Sequence, residues 1–196
     1  MITAIVGCMD ESEGTPISGN GKGVTNTGLA YLNHIKYHKR IWSNYTTDFS
    51  EKVCGLQEMI DTVGDEPQPD LIFVITEMGK VLNSLGSPQR KVLYVENFVR
   101  QLRKLEIDFQ FDEQRFKTVH LRLRNFTDKI FIPMKFHTDY EPCNYNLCKK
   151  PHYIAVYSQV PKKPKPVIIF DATKVGQHYN TNEICYDQLI LRKGDE

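Results

Sequence analysis

No stretch of about 18 consecutive apolar residues occurs in this chain of 196, so it lacks a span of the length that a bilayer-crossing helix needs. It does not open on a basic segment followed by an apolar one, the mark of a secretory leader, and the expectation is a soluble intracellular protein. A disulfide framework is also missing. Cys8, Cys54, Cys143, Cys148 and Cys185 are odd in number and scattered, a pattern of mainly reduced thiols. Internal repeats and low-complexity segments are absent. A net charge of +1 gives no global field to draw in nucleic acid, so such contacts would rest on local patches: "CKKPH" at 148–152 and "PKKPKP" at 161–166. The plainer reading of both patches is a solvated loop. What is present is 40% apolar residues, which excludes a disordered chain and suits a single domain with a substantial core.

The elements alternate. "ITAIVG" (2–7) reads as a strand, and the spacing of Val24, Leu29, Leu32 and Ile35 predicts a helix over roughly 23–37. "KRIWSNYT" (39–46) reads as a second strand and "EKVCGLQEMIDTV" (51–63) as a short helix. "LIFVI" (71–75) is continuously apolar, as a strand buried on both faces must be. A long amphipathic helix follows over 88–105, then strands "EIDFQF" (106–111) and "KIFIPMKF" (129–136). "HYIAVYSQV" and "PVIIFDA" make a β-rich end. This order predicts a mostly parallel sheet with helices on both faces, and ligands lie beyond the carboxyl ends of such strands. Those ends are Gly7, Thr76–Glu77 and Asp112–Gln114.

Between the first strand and its helix stands "GNGKGVTNTGLAYL". A phosphate site of this kind needs glycines so that backbone N–H groups can surround the anion. It also needs a helix N-terminus for positive potential, a lysine for the β/γ-phosphates and a neighbouring hydroxyl for Mg²⁺. Gly19, Asn20, Gly21, Lys22, Gly23 and Val24 are the candidate nucleotide-binding residues. Two departures are plain. Pro16 stands where the first glycine belongs, and Gly23 supplies no hydroxyl. Thr25, two residues further on, can serve Mg²⁺ only if the helix starts late; otherwise the ion keeps an additional water. At the second strand tip, hydrolytic enzymes with an added central strand carry Asp-Glu, where this chain has Thr76-Glu77. Glu77 is the candidate general base. Asp70 cannot replace the missing acid, lying about 20 Å away at the wrong end of the strand.

The segment "FDEQRFKTVHLRLRNFTDKIFIP" (111–133) resembles the strand–Gln-Arg–short helix–R-x-R-N-x-T-D pattern of the FtsK–HerA superfamily of P-loop ATPases. Within it, the pattern is similar to that of archaeal viral genome-packaging and Zot-like ATPases. "KRIWSNY" is similar to their second strand, and "YNTNE" (179–183) to a signature near their C-termini. The resemblance implies a three-layer α/β fold of the additional-strand catalytic-Glu class, binding ATP and Mg²⁺. It implies that Gln114 senses the γ-phosphate and that Arg122 or Arg124 stabilises transition-state charge in a neighbouring subunit's site. The plainer reading of these arginines is surface pairing with Asp128 or Asp112. It further implies a homo-oligomeric ring around double-stranded DNA held without base readout, with Lys117, His120 and the lysines of 162–165 as contacts. The setting would be a viral protein in the host cytoplasm or virion, beside capsid or membrane proteins.

Two other features compete. The departures at Pro16, Gly23 and Thr76 favour a non-hydrolysing assembly protein on the same fold. His137, Cys143, Cys148 and His152, spaced H-x5-C-x4-C-x3-H, offer four ligands for a tetrahedral structural Zn²⁺, in which case the chain reads as a zinc-stapled nucleic-acid-binding module. Reduced thiols in a loop are the plainer alternative.

Overall fold

The computed structural model describes residues 1–8, 21–81, 89–143, 148 and 150–179. Its strands are β1 (Ile2–Cys8), β2 (Arg40–Ser43), β3 (Lys52–Val53), β4 (Leu71–Ile75), β5 (Asp108–Arg115), β6 (Lys129–His137), β7 (His152–Val160) and β8 (Ile168–Asp171). The helices are α1 (Lys22–Tyr37), α2 (Leu56–Thr62), α3 (Met78–Val81), α4 (Gln89–Lys104), α5 (Leu121–Phe126) and α6 (Ala172–Gly176). All eight strands join one sheet in the order β3-β2-β4-β5-β1-β6-β7-β8. The first six run parallel; β6-β7-β8 is an antiparallel meander.

Right-handed crossovers decide which helix lies where. The chain leaves β1 through α1 and passes over β5 and β4 to reach β2, then works back through α2, α4 and α5 to β6. Opposite directions of travel put α1 on one face and α2, α4 and α5 on the other. The pleat agrees. Ile2, Ala4, Val6, Phe73, Ile75, Phe109 and Phe111 pack with Leu56, Met59, Phe98, Leu102 and Leu123. Alternate residues Ile5, Ile72 and Val74 turn to the face of Leu29 and Ala30 on α1, shared with Ile154, Val156 and Phe170 of the meander.

Most sequence-predicted elements stand where expected, and three differ. Residues 52–53 of the segment read as helix form β3, because Lys52 and Val53 continue the sheet beside Trp42 and Ser43 before α2 begins. β2 ends at Ser43; the next N–H, that of Asn44, still donates to the Val74 carbonyl, while its side chain bonds the main chain of Thr76. β5 starts later than predicted and runs four residues further, since Asp112, Glu113 and Arg115 stay paired with β1. Among the described residues, no helix is long and apolar enough to cross a membrane.

Candidate nucleotide site

The carboxyl ends of β1, β4 and β5 lie side by side at one edge of the sheet, β5 between the other two. Over this edge stands the N-terminus of α1. Gly21 is its N-cap, with φ 88° in the left-handed region, and a Cβ there would lie 2.5 Å from Cδ1 of Ile154. Backbone and packing therefore both require glycine. No acidic side chain occupies the first turn of α1, so nothing within the helix neutralises its positive end. Lys22 follows at once, and its charge acts on Asp112 across the site. Gly19 and Asn20 lie outside the described residues, as does most of "YNTNE".

Asp112 is the organising residue. It is 3% exposed and faces α1 from β5. One carboxylate oxygen accepts from Thr76 Oγ1 (2.8 Å) and Asn26 Nδ2 (2.9 Å), the other from the Glu77 N–H (3.1 Å). Asn26 also donates to the Ile75 carbonyl (3.2 Å), and Gln110 donates to both the side-chain and main-chain oxygens of Asn26 (2.7 Å each). Asn44 closes the network, donating to the Thr76 carbonyl and accepting from its N–H. Desolvation pushes the Asp112 carboxyl up to about 6, against the opposing pull of the Glu77 and Thr76 hydrogen bonds and the Lys22 charge. Thr76 follows β4, and the acid of the site, Asp112, stands on the neighbouring strand, where it accepts from the Thr76 hydroxyl.

Glu77 sits at the β4 tip with φ 55°, a left-handed conformation uncommon outside glycine, and its half-exposed side chain pairs with Lys80. Gln114 lies two residues beyond Asp112 on β5, on the same pleated face, and is exposed at the edge. Glu113 points to the opposite face, where it accepts from Gly79 and Gln114 N–H groups. Lys22, Glu77 and Gln114 thus share the edge at which Asp112 is buried.

One expectation is corrected. α1 begins at Lys22, so the late start that Thr25 needs does not occur. Thr25 is fully buried and its hydroxyl donates to the Gly21 carbonyl at 2.9 Å. Arg122 and Arg124 lie on α5, whose Leu123 packs in the core on the face away from α1. Asp112 is buried, and Asp128 accepts from Ile2 N–H and Arg103. Arg124 is half-buried, its Nε without a hydrogen-bond partner among the described residues.

Asn26, Asp112 and Tyr179 are functional candidates that sequence reasoning passed over or only touched. Asn26 is a weak helix former inside a helix, and Asp112 is an acid between apolar strand residues; either anomaly was a usable signal. Tyr179 lies over the first turn of α1, its hydroxyl 3.4 Å from where a Cβ on Gly23 would be. Burial, with Asp112 nearby, holds the phenol well above its ordinary range, so it stays protonated.

At the same end of the sheet, beyond the tip of β1, the structure brings together all four residues of the H-x5-C-x4-C-x3-H segment. Ligand atoms of His137, Cys143, Cys148 and His152 lie within 4.8 Å of one another. Desolvation and the nearby Lys135 and His137 hold His152 below the usual imidazole range.

A parallel sheet with β5 inserted between β1 and β4, and a Gly-Lys helix mouth over their shared edge, is a P-loop NTPase fold of the additional-strand class. No family model matches the chain, and no curated protein matches its sequence. Among solved structures, the N-terminal domain of zonular occludens toxin from Neisseria meningitidis aligns with a TM-score of 0.51, at 14% identity over 91% of this chain and 98% of that one. The genome-packaging NTPase of Sulfolobus turreted icosahedral virus 2, in complex with AMP, aligns at 0.46, with 11% identity over 85% of this chain and 98% of that one. The DNA-packaging ATPase of Sulfolobus turreted icosahedral virus aligns at 0.46, with 12% identity over 86% and 95%. At these identities the likeness to the toxin domain is one of fold.

Proposed function

We propose that the chain binds a nucleoside triphosphate at the α1 mouth and hydrolyses it, as a subunit of a ring that moves DNA into a viral particle. The observation that carries the nucleotide reading is the convergence of Lys22, Asp112, Thr76 and Glu77 at the carboxyl edge of β1, β5 and β4. The N–H groups of the first α1 turn and the Lys22 ammonium receive the phosphates. Mg²⁺ fits this site in one way. Both Asp112 oxygens already accept protein hydrogen bonds, so Asp112 would hold the ion through its water shell, which suits an ion that dehydrates reluctantly. When bound, it neutralises charge on the phosphates. Glu77 orients and deprotonates the attacking water. Gln114, whose amide both donates and accepts, spans that water and the γ-phosphate.

The test is nucleotide binding followed by turnover. Lys22→Ala should weaken ATPγS binding about 10- to 100-fold, the loss of a charge-assisted contact, as read by titration calorimetry. Glu77→Gln should leave binding intact and lower kcat by about 100- to 10,000-fold. Wild-type protein that neither binds nor turns over nucleotide would remove this reading. Binding without turnover in wild type would support the second one, a non-hydrolysing assembly protein. The observation favouring that alternative is the commitment of the Thr25 hydroxyl to Gly21.

A further inference from the structure

The β6–β7 hairpin carries a second site. β6 pairs with β1 only through Phe131 and then continues to His137, about 10 Å past the level of the β1 tip. There the chain reverses sharply. The His137 carbonyl accepts from Tyr140 N–H (2.9 Å), the His137 N–H donates to the Glu141 carbonyl (2.8 Å), and Tyr140 takes φ 67°. The return lays Pro142 opposite Phe136, and Cys143 N–H donates to the Lys135 carbonyl at 2.8 Å. On the other flank of β6, His152 opens β7 directly opposite His137, with their rings 4.7 Å apart.

We infer that His137, Cys143, Cys148 and His152 bind one structural Zn²⁺, tying the β6 tip, its return segment, the connecting loop and the start of β7 together. Ligand atoms about 2.0–2.3 Å from a tetrahedral ion lie about 3.3–3.8 Å from one another, and the four donors here are already within 4.8 Å. Two of these side chains are otherwise unexplained. His137 Nδ1 and His152 Nε2 are buried without hydrogen-bond partners among the described residues, a cost that ligation removes. Cys143 and His152 are shielded from solvent, at 5% and 8% exposure. Two thiolates and two neutral imidazoles suit zinc over the hard cations, and binding releases the two thiol protons. The inference is independent of the nucleotide site, at which none of the four residues stands.

Full-length protein, purified under reducing conditions with zinc supplied, should carry one zinc ion per chain by native mass spectrometry. Co²⁺ loaded in its place should give the visible bands of a tetrahedral site and a thiolate charge-transfer band. Cys143→Ser and Cys148→Ser should each weaken zinc binding by about 100-fold or more, at least the effect of losing an outer-shell partner. Glu141→Gln, an exposed neighbour in the same loop, should retain the ion. Metal-free wild-type protein, a Cys143–Cys148 disulfide formed under those conditions, or full occupancy in the double serine variant would overturn the assignment. The wild-type measurement stands even where a variant fails to fold.

Discussion

At the scale of a residue, Asp112 sets the character of the site. A buried carboxylate is costly, and three donors together with Lys22 offset only part of that cost. The native carboxyl titrates near 6 against an ordinary 3.8, so folded protein keeps this proton where the unfolded chain has released it. Between those values stability therefore falls as pH rises, by up to about 3 kcal/mol at 1.36 kcal/mol per unit. Urea denaturation from pH 4 to 7 should show this decline in wild type and a flatter profile in Asp112→Asn. Parallel profiles would mean that Asp112 is ionised throughout.

At the scale of an element, α1 is fixed by how closely its start approaches β7. Gly21→Ala should cost about 1–2 kcal/mol for the left-handed conformation and a further ~1–3 kcal/mol for displacing Ile154. Gly64→Ala has the same kind of φ (75°) but nothing within 4 Å of its added Cβ, and should show the conformational cost alone. Equal destabilisation of the two in chemical denaturation would refute the packing argument. The helix itself was legible in the sequence, because Leu29 and Leu32 fall at its period. So were β4, through its unbroken apolar run, and the edge on which Lys22, Glu77 and Gln114 meet. Asp112 as the site's central acid was not legible. Its partners Asn26 and Thr76 lie 86 and 36 residues away, and only the insertion of β5 between β1 and β4 brings them together. β3 escaped for a related reason: two residues carry no periodicity, and they form strand only because β2 offers an open edge.

At the scale of the molecule, the placement of α5 on the face away from α1 means that one chain cannot present Arg122 or Arg124 to its own Lys22. If the active unit is a ring, two inactive variants should complement each other. Glu77→Gln subunits with intact arginines, mixed with Arg124→Ala subunits with intact Glu77, should regain nucleotide turnover beyond either alone. An unmixed sum of rates would argue for self-contained sites. The lysines of 162–165, at the turn between β7 and β8, fall at the end of the sheet opposite the nucleotide edge, so DNA contact there would be separate in space from hydrolysis. The abutment of Gly21 on Ile154 has a mechanical meaning for such an engine. Ile154 stands two residues from His152, so the strut that supports the mouth of α1 is clamped at its near end. A change at Ile154 should therefore be felt at the mouth of α1, on the side away from Asn26 and Asp112.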